Sequence, residues 1–254
     1  MTRPKIGFLF DVDGTLTTYH VNDSVIDLLI INDLEMIRKM DFPIGLITGR
    51  SVQWVRNYFF NHINDTLKEY IPIFGEFGLV NWYRGKKVRK RISKELRELL
   101  RNVKQECSEA ICEYRELEPY EDFVQPDQRK LWIEPKEIMI TFRTLPLYGL
   151  TTEKLLRNIE PIVKEYANEL KIIPNPYAID ILPIETSKKT AAEKAIRTLD
   201  KEKVVTKWYS FGDSETDREM SYAKNADVNF YKIPRGVTRE AHLIIQRLLA
   251  GSPE

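Results

Sequence analysis

The sequence predicts an α/β protein built on a doubly wound, mostly parallel sheet and interrupted by an α+β insert. Three observations carry this expectation. Short apolar runs alternate with amphipathic stretches over residues 1–80, the rhythm of strands joined by helical crossovers. That rhythm stops across residues 81–179 and returns over 180–254, so the first domain reads as discontinuous and the middle segment as a second domain. Three of the apolar runs end in aspartate, threonine or glycine, at the sheet edge where open α/β folds bind ligands.

Each element follows from its own pattern. "KIGFLF" (5–10) is a short apolar run closed by a turn signal, hence a buried strand. "DSVIDLLIINDLEMIRKM" (23–40) has helical periodicity, with Asp23 or Ser24 as the N-cap. "FPIGLIT" (42–48) and "YIPIFG" (70–75) read as further strands, with "SVQWVRNYFFNHI" (51–63) as a helix between them. Inside the insert, 91–117 is a long amphipathic helix, and "KLWIEPKEIMITFRT" (130–144) gives two strands with a bend at Pro135. A helix over 151–170 should kink or restart at Pro161, and "KIIPNPYAIDILP" (171–183) closes the insert with strands. The core then resumes with a helix at 184–199, a strand at 207–213, a helix at 214–225 and a short strand at 227–233.

Composition narrows the function classes. A chain of 254 residues with 43% hydrophobic and 30% charged residues is globular with ample core. A net charge of +1 argues against a strongly basic nucleic-acid binder. Cys107 and Cys112 fall on different faces of a helix, so neither a disulfide nor a metal clip is expected. The two unbridged cysteines make a reducing cytoplasm the expected location, and no apolar run approaches the length of a membrane span, nor does the N-terminus carry a cleavable signal pattern. A small-molecule substrate, no nucleic-acid or membrane partner, and a monomer or small homo-oligomer are expected.

The chemistry concentrates at strand ends. In "FLFDVDGTLTTYH" (8–20) an apolar strand runs into Asp11 and Asp13, which leave an extended segment on the same side. Gly14 permits a tight turn. The second strand ends in Thr48-Gly49-Arg50, and the last main strand in Gly212-Asp213-Ser214-Glu215-Thr216-Asp217. Carboxylates converging there would repel one another and shift their pKa values, a conflict that a hard divalent cation such as Mg²⁺ relieves. Lys188 and Lys189, after Ser187 at an expected helix start, supply positive charge for an anion. A carboxylate nucleophile, a metal, a lysine and hydroxyl donors together equip a site for phosphoryl transfer.

"DVDGTL", "TGR", "SKK" and "GDSETD", in that order, resemble the four motifs of the haloacid dehalogenase superfamily of phosphatases. The resemblance spans the whole chain. It implies a Rossmann-like core, here 1–80 with 180–254, and a type-two (Cof-like) cap, here 81–179. It also implies Asp11 as nucleophile through an aspartyl-phosphate, and Asp13 as general acid and then base. Thr48, Gly49, Arg50 and Lys188 would bind the phosphoryl group, with Lys189 as the alternative lysine. Mg²⁺ would be held by Asp11, Asp13 through its backbone carbonyl, and Asp213, with Asp217 acting through water or by orienting Lys188.

Within the superfamily, "FGEFGLVNWYRGKK" and "WIEPKEIMITFR" resemble segments of trehalose-6-phosphate phosphatases, whose cap uses a Glu and a Lys to hold sugar hydroxyls. Glu134 and Lys136 are the matching residues, although Pro135 and Arg143 depart from that pattern. The implied function is hydrolysis of a sugar phosphate, trehalose 6-phosphate first. Alternatives are phosphoglycolate, mannosyl-3-phosphoglycerate or sucrose phosphate as substrate, a phosphomannomutase-like phosphotransferase, or a non-catalytic phosphate-binding protein. His20, His62 and His242 are expected in surface or core roles, and the basic stretches 84–91 and 127–130 as solvated faces.

Overall fold

The computed structural model describes residues 5–18 and 25–251. The chain divides into two compact units, Met1–Arg89 with Ser187–Glu254, and Lys90–Thr186. The first unit opens with β1 (Lys5–Phe10), a small hairpin of β2 (Thr17–Thr18) and β3 (Val25–Ile26), and α1 (Leu28–Lys39). There follow β4 (Ile44–Ile47), α2 (Val52–Trp54), α3 (Asp65–Tyr70), β5 (Ile73–Gly75), β6 (Val80–Tyr83) and β7 (Lys86–Arg89). The second unit holds α4 (Lys94–Arg115), β8 (Pro119–Glu121), β9 (Leu131–Glu134), β10 (Ile140–Arg143), α5 (Thr152–Lys164), β11 (Leu170–Asn175) and β12 (Ala178–Pro183). The first unit then resumes with α6 (Lys188–Leu199), β13 (Val205–Gly212), α7 (Glu215–Arg218), β14 (Val228–Lys232) and α8 (Thr238–Ala250).

The first unit is built on a seven-stranded sheet in the order β14-β13-β1-β4-β5-β6-β7. The five strands from β14 to β5 are parallel, and β6 and β7 add an antiparallel hairpin. Strand β1 sits between β13 and β4, with Phe10 opposite Phe211 on one side and Leu46 on the other. Alternation along β1 serves two layers. Phe8 and Phe10 join Tyr209, Phe211 and Tyr231 in an aromatic face, the rings of Phe10 and Phe211 lying 4.9 Å apart. Leu9 turns the other way, into a cluster with Ile47, Phe74, Trp208 and the small residues Ala191, Ala192 and Ala195 of α6. Those alanines let the helix lie close on the sheet.

The second unit is a five-stranded sheet, β11-β12-β10-β9-β8, antiparallel except for the β8–β9 pair. Helices α4 and α5 pack together beside it, burying Leu100, Val103, Cys107 and Ile111 from one and Leu155, Ile159 and Val163 from the other.

Several local expectations shift. The insert expected at 81–179 and the second unit at 90–186 differ at both ends: β6 and β7 pair with the core sheet rather than leaving it, and all of β12 pairs with β10 and β11 in the second unit. Their exposed Lys86–Arg89 edge is charged, as an unpaired sheet edge should be. Helix α1 begins at Leu28 and not at residue 23, since Asp27 is extended and its carboxylate accepts the Leu29 N–H at 2.9 Å. Asp23, Ser24 and His20 lie outside the described residues. The helix expected over 51–63 changes pitch, from α2 to a π turn (Val55–Phe59) and a 3₁₀ turn (Phe60–His62), which buries the adjacent Phe59 and Phe60 together. Pro161 does not interrupt α5, because the buried Leu155, Ile159 and Val163 stripe holds the helix through it. Helix α8, which the sequence reading passed over, packs on α1. There the buried Asp33 accepts from Gln246 at 2.6 Å and lies 2.9 Å from His242 Nδ1. No helix among the described residues is long and apolar enough to cross a membrane.

The seating of β1 is sensitive at one point. A Cβ built on Gly7 would lie 2.5 Å from the Trp208 ring, so the indole occupies the space a side chain would need. Gly7→Ala should lower stability by about 1–3 kcal/mol through overpacking, read as a lower urea midpoint at unchanged slope.

Candidate active site

The parallel register brings three strand ends level. Asp11 follows β1, Thr48 follows β4 and Asp213 follows β13, and the pairings of Phe10 with Phe211 and Leu46 make these successors neighbours along one edge. The Asp11 N–H donates to the Phe211 carbonyl at 2.9 Å, which fixes the backbone as it leaves the sheet. Gly14 then turns with φ +78°. A Cβ there would meet the Asp213 carboxylate at 2.6 Å, so a glycine is required both for the left-handed backbone and for the approach of Asp213.

Lys188 stands at the centre. It is the first residue of α6, where Ser187 and Thr190 form a capping box and Glu219 accepts the Lys188 N–H at 3.1 Å. Its Nζ donates to Asp11 Oδ1 at 2.5 Å and to Asp217 Oδ1. Asp217 is fixed from the other side, accepting from the Ser214 N–H at 2.8 Å and the Ser214 hydroxyl at 2.6 Å. Asp11, Asp217 and Lys188 are all nearly inaccessible to solvent. Lys189, by contrast, is half-buried and makes no contact with Asp11.

Electrostatics follow from this packing. Burial pushes the Asp11 carboxyl well above its ordinary pKa; Lys188 offsets part of that, and the neighbouring acids add to it. Burial opposes a charge on Lys188 too, but Asp11 and Asp217 outweigh it and hold the ammonium above its usual range. Burial likewise opposes ionisation of Asp217, yet Lys188 and Ser214 bring its pKa below the ordinary value. Asp213 is raised by burial, against the pull of Arg235, whose guanidinium pairs with it.

Asp13 is held by Arg50. The guanidinium Nε lies 3.0 Å from Oδ2 and a terminal nitrogen 2.9 Å from Oδ1, a two-point grip on a carboxylate. Arg50 also stacks 4.1 Å from the Trp54 ring centroid. Thr48 is buried, its hydroxyl accepting the Arg50 N–H at 3.1 Å, and Gly49 lies between them. The segment Glu76-Phe77-Gly78 docks onto this turn through Glu76 N–H to Arg50 O (2.9 Å) and Phe77 N–H to Thr48 O (3.0 Å). The Thr15 hydroxyl reaches Asp11 Oδ2 at 3.4 Å.

The first unit therefore brings together Asp11, Asp13, Thr48, Gly49, Arg50, Lys188, Asp213 and Asp217. Glu134 and Lys136 lie in the second unit, where Lys136 donates to Glu134 at 2.6 Å, Arg143 stands 3.7 Å from it, and both Glu134 and Lys136 side chains are buried. The sequence reading missed Arg235 and Glu219, and did not foresee that Arg50 would grip Asp13. Nothing near Arg235 in the chain resembles a motif. Its position beside Gly14, set by the Gly236 N–H to Gly14 carbonyl bond of 2.8 Å, is a tertiary fact.

The donor set suits a hard cation. One carboxylate oxygen each from Asp11, Asp213 and Asp217 lie within 4.8 Å of one another, and an all-oxygen acidic cluster of this kind fits Mg²⁺. Adding Mg²⁺ at millimolar concentration should raise the melting temperature of the wild-type protein, since a ligand bound by the native state alone stabilises it. In Asp213→Asn the rise should fall to the level seen with a monovalent salt of equal ionic strength, measured by differential scanning calorimetry.

The haloacid dehalogenase-like hydrolase family matches residues 8–226 of the chain. A search of curated proteins finds no match. Solved structures similar in fold include a trehalose-6-phosphate phosphatase related protein, at 18% identity and a TM-score of 0.62, with 96% of this chain and 97% of that one aligned. The C-terminal domain of Candida albicans trehalose-6-phosphate phosphatase aligns at 15% identity and a TM-score of 0.63, over 99% and 94% of the two chains. Plasmodium falciparum IMP-nucleotidase aligns at 12% identity and a TM-score of 0.63, over 98% of this chain and 62% of that one. At such identities these likenesses speak for the fold, while the family match covers most of the sequence: the chain belongs to the haloacid dehalogenase-like hydrolases.

Proposed function

We propose that the protein is a Mg²⁺-dependent phosphomonoesterase working through an aspartyl-phosphate on Asp11. The observation that carries this reading is the buried lysine, Lys188, bridging Asp11 and Asp217 at the carboxyl edge of a parallel sheet. A carboxylate so placed is oriented, excluded from bulk water and flanked by a fixed positive charge, which is what in-line attack on a phosphoryl group needs.

In the first half-reaction an Asp11 carboxylate oxygen bonds to phosphorus while the bond to the leaving oxygen breaks. Asp13 delivers the proton that the leaving oxygen takes up. In the second half-reaction Asp13 removes a proton from water, whose oxygen attacks the same phosphorus, and the acyl-phosphate P–O bond breaks to return Asp11 and free phosphate. Arg50 positions the Asp13 carboxyl for both transfers, and Asp217 positions Lys188. Thr48, with the backbone around Gly49, and the Lys188 ammonium hold the phosphoryl oxygens. Asp11, Asp213, Asp217 and the backbone carbonyl of Asp13 would hold Mg²⁺, which when bound supplies charge neutralisation on those oxygens.

For the substrate we favour a sugar phosphate, with trehalose 6-phosphate first. The buried Glu134, Lys136 and Arg143 support this, because ionised side chains kept off the surface can hydrogen-bond the hydroxyls of a polyol.

Asp11→Asn should lower phosphate release from p-nitrophenyl phosphate by at least about 1,000-fold with an unchanged circular dichroism spectrum. Near-wild-type turnover in that variant would refute the nucleophile. A phosphate-release screen over trehalose 6-phosphate, sucrose phosphate, mannosyl-3-phosphoglycerate, phosphoglycolate and IMP then separates substrates, and formation of an isomeric sugar phosphate in place of free phosphate would mark a mutase.

The role of the second unit has its own test. Lys136→Met should raise KM for the best sugar phosphate by about 10-fold or more, the scale of one lost charged hydrogen bond, and leave kcat/KM for p-nitrophenyl phosphate within a factor of two or so. Equal losses on both substrates would mean that Lys136 serves folding alone.

A further inference from the structure

We propose that the edge of the core sheet opposite the catalytic carboxylates carries a second ligand site, which takes a nucleoside phosphate. The parallel strands β4 and β5 run toward Thr48 and Gly75, so their starts, near Phe42 and Tyr70, lie at the far edge. The antiparallel β6 brings Tyr83 and the turn residues Arg84 and Gly85 to that same edge. There, Arg38, Arg56, Phe60, Lys68, Tyr70, Trp82 and Arg84 surround an open cleft of about 900 Å³, together with Asp65 and Glu69. That volume is the size of a small-molecule site.

Charge is the first argument. Lys68 is neutralised by Asp65 at 3.0 Å. Among the described residues no carboxylate pairs with Arg38, Arg56 or Arg84, and the remaining acid on the lining is Glu69. Some exposed cations elsewhere on the molecule are paired, as Lys5 is with Asp41, Lys104 with Glu121 and Lys232 with Glu215. Three arginines gathered round one cleft without acidic partners repel one another, in a chain whose net charge is only +1. An anion relieves that repulsion, and guanidinium forks match phosphate oxygens in geometry.

Hydrogen bonding is the second. Arg38 Nε is buried and has no hydrogen-bond partner. A buried donor without an acceptor is costly and uncommon in a native fold, and here it belongs to a residue on the cleft wall.

The walls give the third. Phe60, Tyr70 and Trp82 line the cleft beside the arginines, and the Arg56 guanidinium already sits over Trp82, 4.0 Å from the ring centroid. A planar guanidinium group over an indole offers a face on which another planar group can stack. Bare phosphate would use the charge and leave the aromatic wall unfilled. A ligand carrying both a heteroaromatic ring and a phosphate uses both.

The test uses the full chain with Asp11→Asn as background, so that binding is measured without turnover at the catalytic edge. Titration calorimetry with ADP should show one binding event at this cleft. Arg56→Ala with Arg84→Ala, both exposed side chains in the unliganded protein, should weaken it at least 10-fold while the melting temperature stays unchanged. Inorganic pyrophosphate should bind at least 10-fold more weakly than ADP. No ADP binding, or binding indifferent to the two arginine substitutions, would overturn the site. Pyrophosphate binding as tightly as ADP would overturn the assignment of a nucleoside phosphate. Arg56→Lys with Arg84→Lys, which keeps charge but loses the planar fork, should recover less than half of the lost binding free energy; full recovery would overturn the stacking argument.

Discussion

The buried ammonium of Lys188 is the constraint on which the catalytic edge depends. Two carboxylates, Asp11 and Asp217, lie on it inside the protein. Without that charge they would face each other in a medium that screens poorly, and removing one partner from a buried ion pair costs roughly 3–5 kcal/mol. The lysine is in turn fixed by its place in the chain. It opens α6, its own N–H is capped by Glu219, and the alanines of α6 hold the helix against Leu9 and Trp208. The packing of a helix on a sheet thus sets the partner of Asp11 at the end of the strand beneath it. Asp217 belongs to this arrangement as much as to any ligand site, since the Ser214 hydroxyl and amide hold one of its oxygens and Lys188 the other.

How much of this was legible in the sequence depended on whether the signal was local. The strand starting at Lys5 and its two aspartates could be read directly, because an apolar run meeting acids is a pattern within ten residues or so. The order of Asp11, Thr48, Lys188 and Asp213 along the chain was readable too, and the parallel register is what converts that order into proximity. Pairings between distant loops were not readable. Arg235 reaches Asp213 because the chain after β14 folds back to Gly14, and no spacing rule announces that. The hairpin of β6 and β7 was misplaced because its outer strand β7 carries Lys and Arg on an exposed edge, which by composition reads as a loop. Pro161 misled in the opposite sense. Its local preference is to break a helix, and the apolar stripe of α5 outweighs it.

Charge balance explains why a site of this kind would take a cation and a phosphate together. The catalytic edge gathers four carboxylates, Asp11, Asp13, Asp213 and Asp217, against three fixed cations, Arg50, Lys188 and Arg235. In formal charges the edge is one unit negative, and the neighbouring acids add to the rise that burial gives the Asp11 carboxyl. A phosphate dianion arriving alone would meet a net repulsion. With a divalent cation in place among Asp11, Asp213 and Asp217 the balance changes sign, and a dianion returns it to where it began. The arginines in the cleft at the opposite edge stand in the reverse condition, since none of the three is paired with a carboxylate among the described residues, and that contrast within one sheet separates an edge crowded with acids from one suited to binding an anion intact.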